Sequence, residues 1–319
     1  RILSIPRNII SIKLLRNKKF VYIKRNISPR EHQEIIKLGL NDLRIEKEEH
    51  DKRIYSFGSK TSHVVGYTNI DSIGKAGIEK GLEEKLKKGT NITLSIDSRL
   101  QEIVNDELLK TINRYSAKSG ISIILDINSG QILSMNSYPT YDPNNKKTFL
   151  PQNLFNIAIQ GNYEMGSTFK PLTIAMGLDL KKIDSEMLFD VTKPIQQGKY
   201  TIKDYHPFNG KLDIKGIMVK SSNIGTAKIA KKIGKKDQKI FLQKLGFYKK
   251  IELEIDETVI PLANRNNWSI LETMTIGYGH GFAITPLHLI KAYASIMNDG
   301  YEVSPTLLIN KNNKLNNKI

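Results

Sequence analysis

Two short stretches of this chain carry residue types and spacings that could perform nucleophilic chemistry. The first is Gly161 to Pro171, G-N-Y-E-M-G-S-T-F-K-P. Ser167 and Lys170 lie three residues apart, so on a helix both side chains share one face. A serine hydroxyl is a poor nucleophile until a nearby base takes its proton. A lysine can be that base when burial and positive surroundings depress its pKa, and a helix N-terminus supplies part of that field. Gly166 permits a tight turn before the serine. Pro171 is tolerated in the first helical turn, where backbone donors are unpaired anyway. The second stretch is Lys220 to Gly225, K-S-S-N-I-G, with Ser221 54 residues after Ser167. It places hydroxyls and the Asn223 amide side by side between two helical patterns. Taken singly, an N-capping serine followed by a surface lysine, and an N-capping Ser or Asn, explain either stretch equally well.

Other residues invite less chemistry. The chain has no Cys and six scattered His, so a thiolate site is excluded and no metal or other cofactor is expected. His280, in G-Y-G-H-G from Gly277, could serve as a base, but the plainer reading is a backbone-limited loop feeding a helix at Thr285-Pro286. His206 before Pro207 reads as a loop residue, and Trp268 as a packing anchor. Lys231 to Lys250 has eight Lys against one Asp and reads as a solvated helical face.

The elements that must position these residues follow from patterning. Phe20 to Lys24 is a short strand candidate. Ser28-Pro29-Arg30-Glu31 opens a helix with a capping box, running to Gly39. Glu46 to Arg53 is a solvated charge run. A helical pattern spans Ala76 to Lys87 and stops at Gly89. Asn91 to Ile96 alternates as a strand, and Asp97 opens a long amphipathic helix with Leu100, Ile103, Val104, Leu108 and Leu109 at helical spacing. Ile121 to Leu125 and Gln131 to Met135, flanking Asn128-Ser129-Gly130, predict a hairpin. A helix runs from Ser167 through Leu178, and the pattern stays mostly helical through Ile296. Lys311 to Ile319 looks frayed. A hairpin sheet with many helices makes the fold class α+β.

Composition excludes several classes. At 39% hydrophobic and 25% charged the chain is neither fibrous nor wholly disordered. The uncharged stretch Thr273 to Ile290 contains three Gly, two His and a Pro, so it does not read as a membrane span. The formal net charge is +17. A nucleic-acid site would cluster Arg with aromatics, whereas Lys outnumbers Arg 39 to 10 and Ile supplies 45 residues, the signature of an AT-rich coding sequence. No nucleic-acid partner is expected.

The flanks narrow the two motifs to one family. S-T-F-K at 167–170 and S-S-N at 221–223, together with A-G-I-E-K-G-L-E at 76–83, Y-D-P-N at 141–144, F-D-V-T-K-P from Phe189, K-D-Y-H-P-F from Lys203 and G-Y-G-H-G from Gly277, resemble the class B penicillin-binding proteins of cell division, the septal peptidoglycan D,D-transpeptidases. The resemblance covers nearly the whole chain. It implies a penicillin-binding, serine β-lactamase-like domain, an antiparallel sheet flanked by helices. Residues 1–88 would be the end of a pedestal domain and 89–319 the transpeptidase domain. It implies that Ser167 attacks the donor D-Ala-D-Ala carbonyl and Lys170 takes its proton. Ser221 would relay a proton to the leaving amine, and Asn223 would hold Lys170 and the substrate amide. Gly166 and Ser222 would contribute to substrate binding, and the Ser167 backbone N–H would form half of the oxyanion hole. Implied partners are peptidoglycan stem peptides, β-lactams and membrane proteins of the division machinery, at the periplasmic face of the bacterial inner membrane.

The family's third motif, Lys-Thr-Gly or Lys-Ser-Gly on the strand lining the cleft, is expected to be absent from the chain. The membrane anchor is expected to be missing too. The chain therefore reads as an internal fragment that acylates poorly. A non-catalytic division scaffold and a serine β-lactamase are the alternative functions.

Overall fold

The computed structural model describes residues 1–15, 18–47, 53–262, 268–309 and 318–319. Residues 48–52 of the charge run and 311–317 of the tail lie outside them.

The centre of one half is the expected hairpin, Gly120–Leu125 paired antiparallel with Ile132–Tyr138. Its turn closes because the Asp126 carboxylate accepts from the Asn128 and Ser129 amides, both at 2.8 Å. Gly130 completes the turn at φ +71°, and a Cβ there would sit 2.2 Å from the Ser304 carbonyl oxygen. The long helix Ser98–Tyr115 lies on this hairpin, capped by the Asp97 side chain. Its buried Gln101 bridges the two elements, with its amide donating to Met135 O and Asn136 Oδ1 and its carbonyl accepting from Ser134 Oγ and the Met135 amide. The face beneath the hairpin packs Ile132, Met135, Ile159, Ile251, Leu287 and Leu307 into one core.

A second, larger core gathers Phe169, Leu172, Met176, Ile217, Ile229, Leu242, Phe247, Trp268, Ile276 and Phe282. It is built by helices Lys170–Asp179, Ile214–Lys220, Asn223–Ile233, Lys235–Lys244, Ile270–Gly277 and Pro286–Met297. Trp268 is 1% exposed within it, as its reading as an anchor requires. In the Lys-rich helix Lys235–Lys244, Gln238, Phe241 and Leu242 are buried, leaving the lysines on its other side.

The helix Pro29–Lys37 carries the full Ser28/Glu31 capping box. The Ala76–Lys87 pattern forms two short helices, Gly77–Gly81 and Glu83–Lys87, broken at Leu82. This segment packs tightly on the rest: Gly77 N donates to Glu257 Oε1 at 2.8 Å, and a Cβ on Gly81 would lie 2.0 Å from Glu254 O.

Two expected strands are absent. Phe20–Lys24 forms no ladder, because among the described residues no neighbouring strand offers it partners. The Lys13 ammonium instead takes the Tyr22 and Ile23 carbonyls, and Phe20 and Tyr22 stay exposed. Asn91–Ile96 contributes one isolated bridge, Leu94 to Leu308. Ser95 N bonds Leu307 O and Asp97 N bonds Leu133 O, so the segment is divided between two neighbours and ladders with neither. Three small antiparallel ladders arise inside the stretch read as helical: Tyr163–Glu164 with Ala283–Ile284, Phe189–Asp190 with Lys211–Leu212, and Ile195–Gln197 with Tyr200–Ile202. The end of the tail is tied down, with Ile319 N donating to Gly300 O at 2.8 Å.

Candidate active site

Ser167 sits on a 3-10 turn, Gly166–Phe169, that leads directly into helix Lys170–Asp179. Phe169, fully buried between Phe247 and Phe282, roots the turn in the larger core and leaves Ser167 on the exposed side. Gly166 adopts φ +54°, a left-handed conformation that only glycine takes readily. Ser167 is the second residue of the turn, where backbone N–H groups have no intrahelical acceptor. That is the setting an oxyanion donor needs.

A distant loop pins this turn. Gly166 N donates to Gly279 O at 3.0 Å, and a Cβ on Gly279 would lie 2.2 Å from Gly166 O. Glu164 Oε1 accepts from Gly281 N at 2.9 Å, the Thr173 hydroxyl donates to Gly277 O at 2.7 Å, and the Tyr293 hydroxyl donates to Thr168 O at 2.6 Å. The G-Y-G-H-G segment is thus a backbone clamp on the nucleophile turn. His280 is exposed, with Nδ1 facing Tyr278 O at 3.3 Å. His206 is exposed in its loop against Tyr205.

Lys170 is 1% exposed. Its ammonium donates to the Ser221 carbonyl and, at 2.9 Å, to the Ser221 hydroxyl. Burial depresses its pKa to about 8, and the negative charge of Asp204 limits the fall. With that midpoint about a tenth of Lys170 is free amine at pH 7, roughly 300-fold more than for an unperturbed lysine. Ser221 closes the helix Ile214–Lys220 at φ +51°. A non-glycine residue held in the left-handed region stores strain of a kind that clusters at functional sites. Here it aims carbonyl and hydroxyl together at Lys170.

The structure therefore brings Lys170 and Ser221 together, with Ser167 one helical turn away. The Ser167 hydroxyl has no hydrogen-bond partner among the described residues, leaving it available to a ligand. Among the described residues Asn223 makes no hydrogen bond to Lys170. As the first residue of helix Asn223–Ile233 it turns its amide to Lys203 O at 3.1 Å. Ser222 is 1% exposed, donates to Asp204 Oδ2 at 2.7 Å and accepts from Gly225 N at 2.9 Å, so its hydroxyl is directed into the protein. Asp204 was missed in the sequence, although it stands within the K-D-Y-H-P-F segment.

Contrary to the expected absence from the chain, a Lys-Ser-Gly triplet does occur, at Lys118–Gly120, ahead of both motifs. Gly120 opens the first hairpin strand and faces Ile112 and Leu108 of the long helix, while Lys118 and Ser119 are exposed. These contacts belong to the helix–hairpin packing, not to the nucleophile turn. Among the described residues no group of three or more His, Asp or Glu side chains is placed to hold a metal ion.

Residues 120–318 match the penicillin binding protein transpeptidase domain. The chain belongs to this family. It is 32% identical over 330 residues to a probable peptidoglycan D,D-transpeptidase PenA of Neisseria meningitidis, covering 94% of this chain and 56% of that protein. It is 33% identical over 284 residues to a probable peptidoglycan D,D-transpeptidase FtsI of Caulobacter vibrioides, covering 88% of this chain and 48% of that protein. The chain spans about half the length of the curated relatives it matches. The solved structure of Pseudomonas aeruginosa PBP2 in complex with WCK 5153 shares the fold, with a TM-score of 0.70 at 24% identity over 84% of this chain and 72% of that one. The α+β class is that of the penicillin-binding transpeptidase fold. Among the described residues no helix is long and apolar enough to cross a membrane.

Proposed function

We propose that the protein is a serine peptidoglycan D,D-transpeptidase that cross-links stem peptides during septal wall synthesis and is acylated by β-lactams. The observation that carries this reading is the buried Lys170 amine held on Ser221 one turn from the exposed Ser167. In the proposed reaction Ser167 Oγ attacks the carbonyl of the penultimate D-Ala of a pentapeptide stem, and its proton passes to the free amine of Lys170. The Ser167 N–H stabilises the tetrahedral oxyanion. The proton moves through Ser221 to the amine of the terminal D-Ala, which leaves as the ester forms. An amine from a neighbouring stem then attacks the ester, forms the cross-linking amide and restores the serine. A β-lactam acylates the same oxygen, and its ring-opened amine stays attached.

Gly166 would let the substrate approach the turn closely, and Asn223 would turn from Lys203 O to the substrate amide on binding. Residues 1–88 are read as the end of a pedestal domain and 89–319 as the catalytic domain. The partners in this reading are membrane proteins of the division machinery at the periplasmic face of the inner membrane; the names of the relatives support the peptidoglycan substrate. Fluorescent penicillin tests the function. The native gene product is expected to label, and Ser167→Ala to abolish labelling. Persistent labelling of Ser167→Ala would sink the assignment, and sustained turnover of a chromogenic β-lactam would redirect it to a β-lactamase.

A further inference from the structure

Asp204 is 8% exposed and stands two residues beyond the ladder strand Tyr200–Ile202. Each oxygen of its carboxylate has a separate task. Oδ2 accepts from the Ser222 hydroxyl at 2.7 Å, and Oδ1 accepts from the Ile224 amide at 2.9 Å. The residue before it takes part as well, because Lys203 O accepts from Asn223 Nδ2 at 3.1 Å. The Lys203–Asp204 pair thus holds three consecutive residues, 222 to 224, from outside their own helix. Ser222 is fixed further by Gly225 N on its hydroxyl and by its own amide on Ile217 O. Immediately ahead of this clamped segment is Ser221, in the left-handed conformation, with carbonyl and hydroxyl on the Lys170 ammonium.

Other charges on the elements around Lys170 are directed elsewhere. Lys220 lies over the Phe208 ring, Lys228 donates to Asp190 O, and Lys291 pairs with Glu302. The negative charge of Asp204 favours the protonated form of Lys170, opposing its burial.

We propose that Asp204 is a positioning residue for acyl transfer: it holds the Ser222–Ile224 segment so that Ser221 is presented to Lys170, and its negative charge acts on the Lys170 amine. The inference rests on the proposed transpeptidase reading for its consequence in the reaction, but the geometry can be tested without substrate. Charge-assisted hydrogen bonds are roughly twice as strong as neutral ones, so the carboxylate can fix a strained loop where an amide would do so less well. A negative charge near an ammonium also favours its protonated form.

The test is the Lys170 titration, followed by the 13Cε resonance in 13C-lysine-labelled chain and assigned by its loss in Lys170→Arg. In the parent chain the midpoint is expected near 8. Asp204→Asn keeps the shape and removes the charge, and is expected to lower the midpoint. Ser222→Ala keeps the charge and removes one anchor; it is expected to leave the midpoint in place and slow β-lactam labelling of the native gene product by about tenfold. An unmoved midpoint in folded Asp204→Asn overturns the electrostatic role. Parental labelling rates in Ser222→Ala overturn the positioning role, and that arm stands even if Asp204→Asn does not fold. If the parent never labels, the transpeptidase reading fails, and the titration still decides what Asp204 does to Lys170.

Discussion

Replacing Gly279 by Ala tests how the nucleophile turn is held. The added Cβ would lie 2.2 Å from Gly166 O, 2.5 Å from Gly166 N and 2.8 Å from Gly166 C, all backbone atoms that cannot rotate away. Gly279 also has φ +83°, where an L-residue costs about 1–2 kcal/mol. Overpacking adds about 1–3 kcal/mol. Loss of the Gly166 N–H to Gly279 O bond adds about 1 kcal/mol. The sum is roughly 3–6 kcal/mol, or a fall in Tm of about 6–12 °C at about 2 °C per kcal/mol. Because the clash is with the residue before Ser167, the nucleophile should shift, and a displacement of about 1 Å can cost about 100-fold in rate. Gly281→Ala is the internal control. Its φ of +77° carries the same backbone strain, but the nearest atom to its Cβ is Thr275 Oγ1 at an ordinary 3.7 Å. Thermal unfolding of this chain and penicillin labelling of the native gene product, run on both variants, separate close approach from backbone strain. Equal effects of the two substitutions would refute the clamp.

The remaining expectations are briefer. Labelling should rise about tenfold per pH unit below the Lys170 midpoint near 8 and level off above it; a rate that stays flat through this range would exclude Lys170 as the base. Lys170→Arg keeps a cation but cannot release its proton at accessible pH, so labelling should fall at least about 100-fold while Tm stays within a few degrees, read by gel fluorescence and calorimetry. His63 and His288 are buried, and desolvation holds the pKa of each near 4. The unfolded chain binds protons on these rings below about 6.5, whereas the folded one does not. Stability is therefore full above that pH and falls as pH drops toward 4, by up to about 3 kcal/mol per ring. Urea unfolding at pH 7 and 4.5, with His288→Gln losing part of the difference, checks it.

Local signals were legible in the sequence wherever a single segment determined its own outcome. The Ser28/Glu31 box, the Asp97 cap and the Asn128-Ser129-Gly130 turn each satisfy backbone groups within a few residues, so spacing alone reveals them. Ser167, Lys170 and Ser221 were legible through their motifs. Their coupling was not, because the contacts join Gly166 to Gly279 and Ser222 to Asp204, pairs far apart in sequence. The ladder Tyr163–Glu164 with Ala283–Ile284 is two residues long per strand, too short for an alternating pattern. Phe20–Lys24 shows the converse: β-branched and aromatic residues favour a strand, but a strand needs a partner, and among the described residues none lies beside it. The directions of the Ser222 and Asn223 side chains were not legible, because adjacency in a motif says nothing about which way each side chain turns at the start of a helix.

The most direct test of the account is peptide mapping by mass spectrometry after the native gene product meets a β-lactam. The account predicts one covalent adduct, on the peptide containing Ser167, absent from Ser167→Ala and slowed in Lys170→Arg. An adduct on any other residue, or none at all on a folded, full gene product, would contradict it.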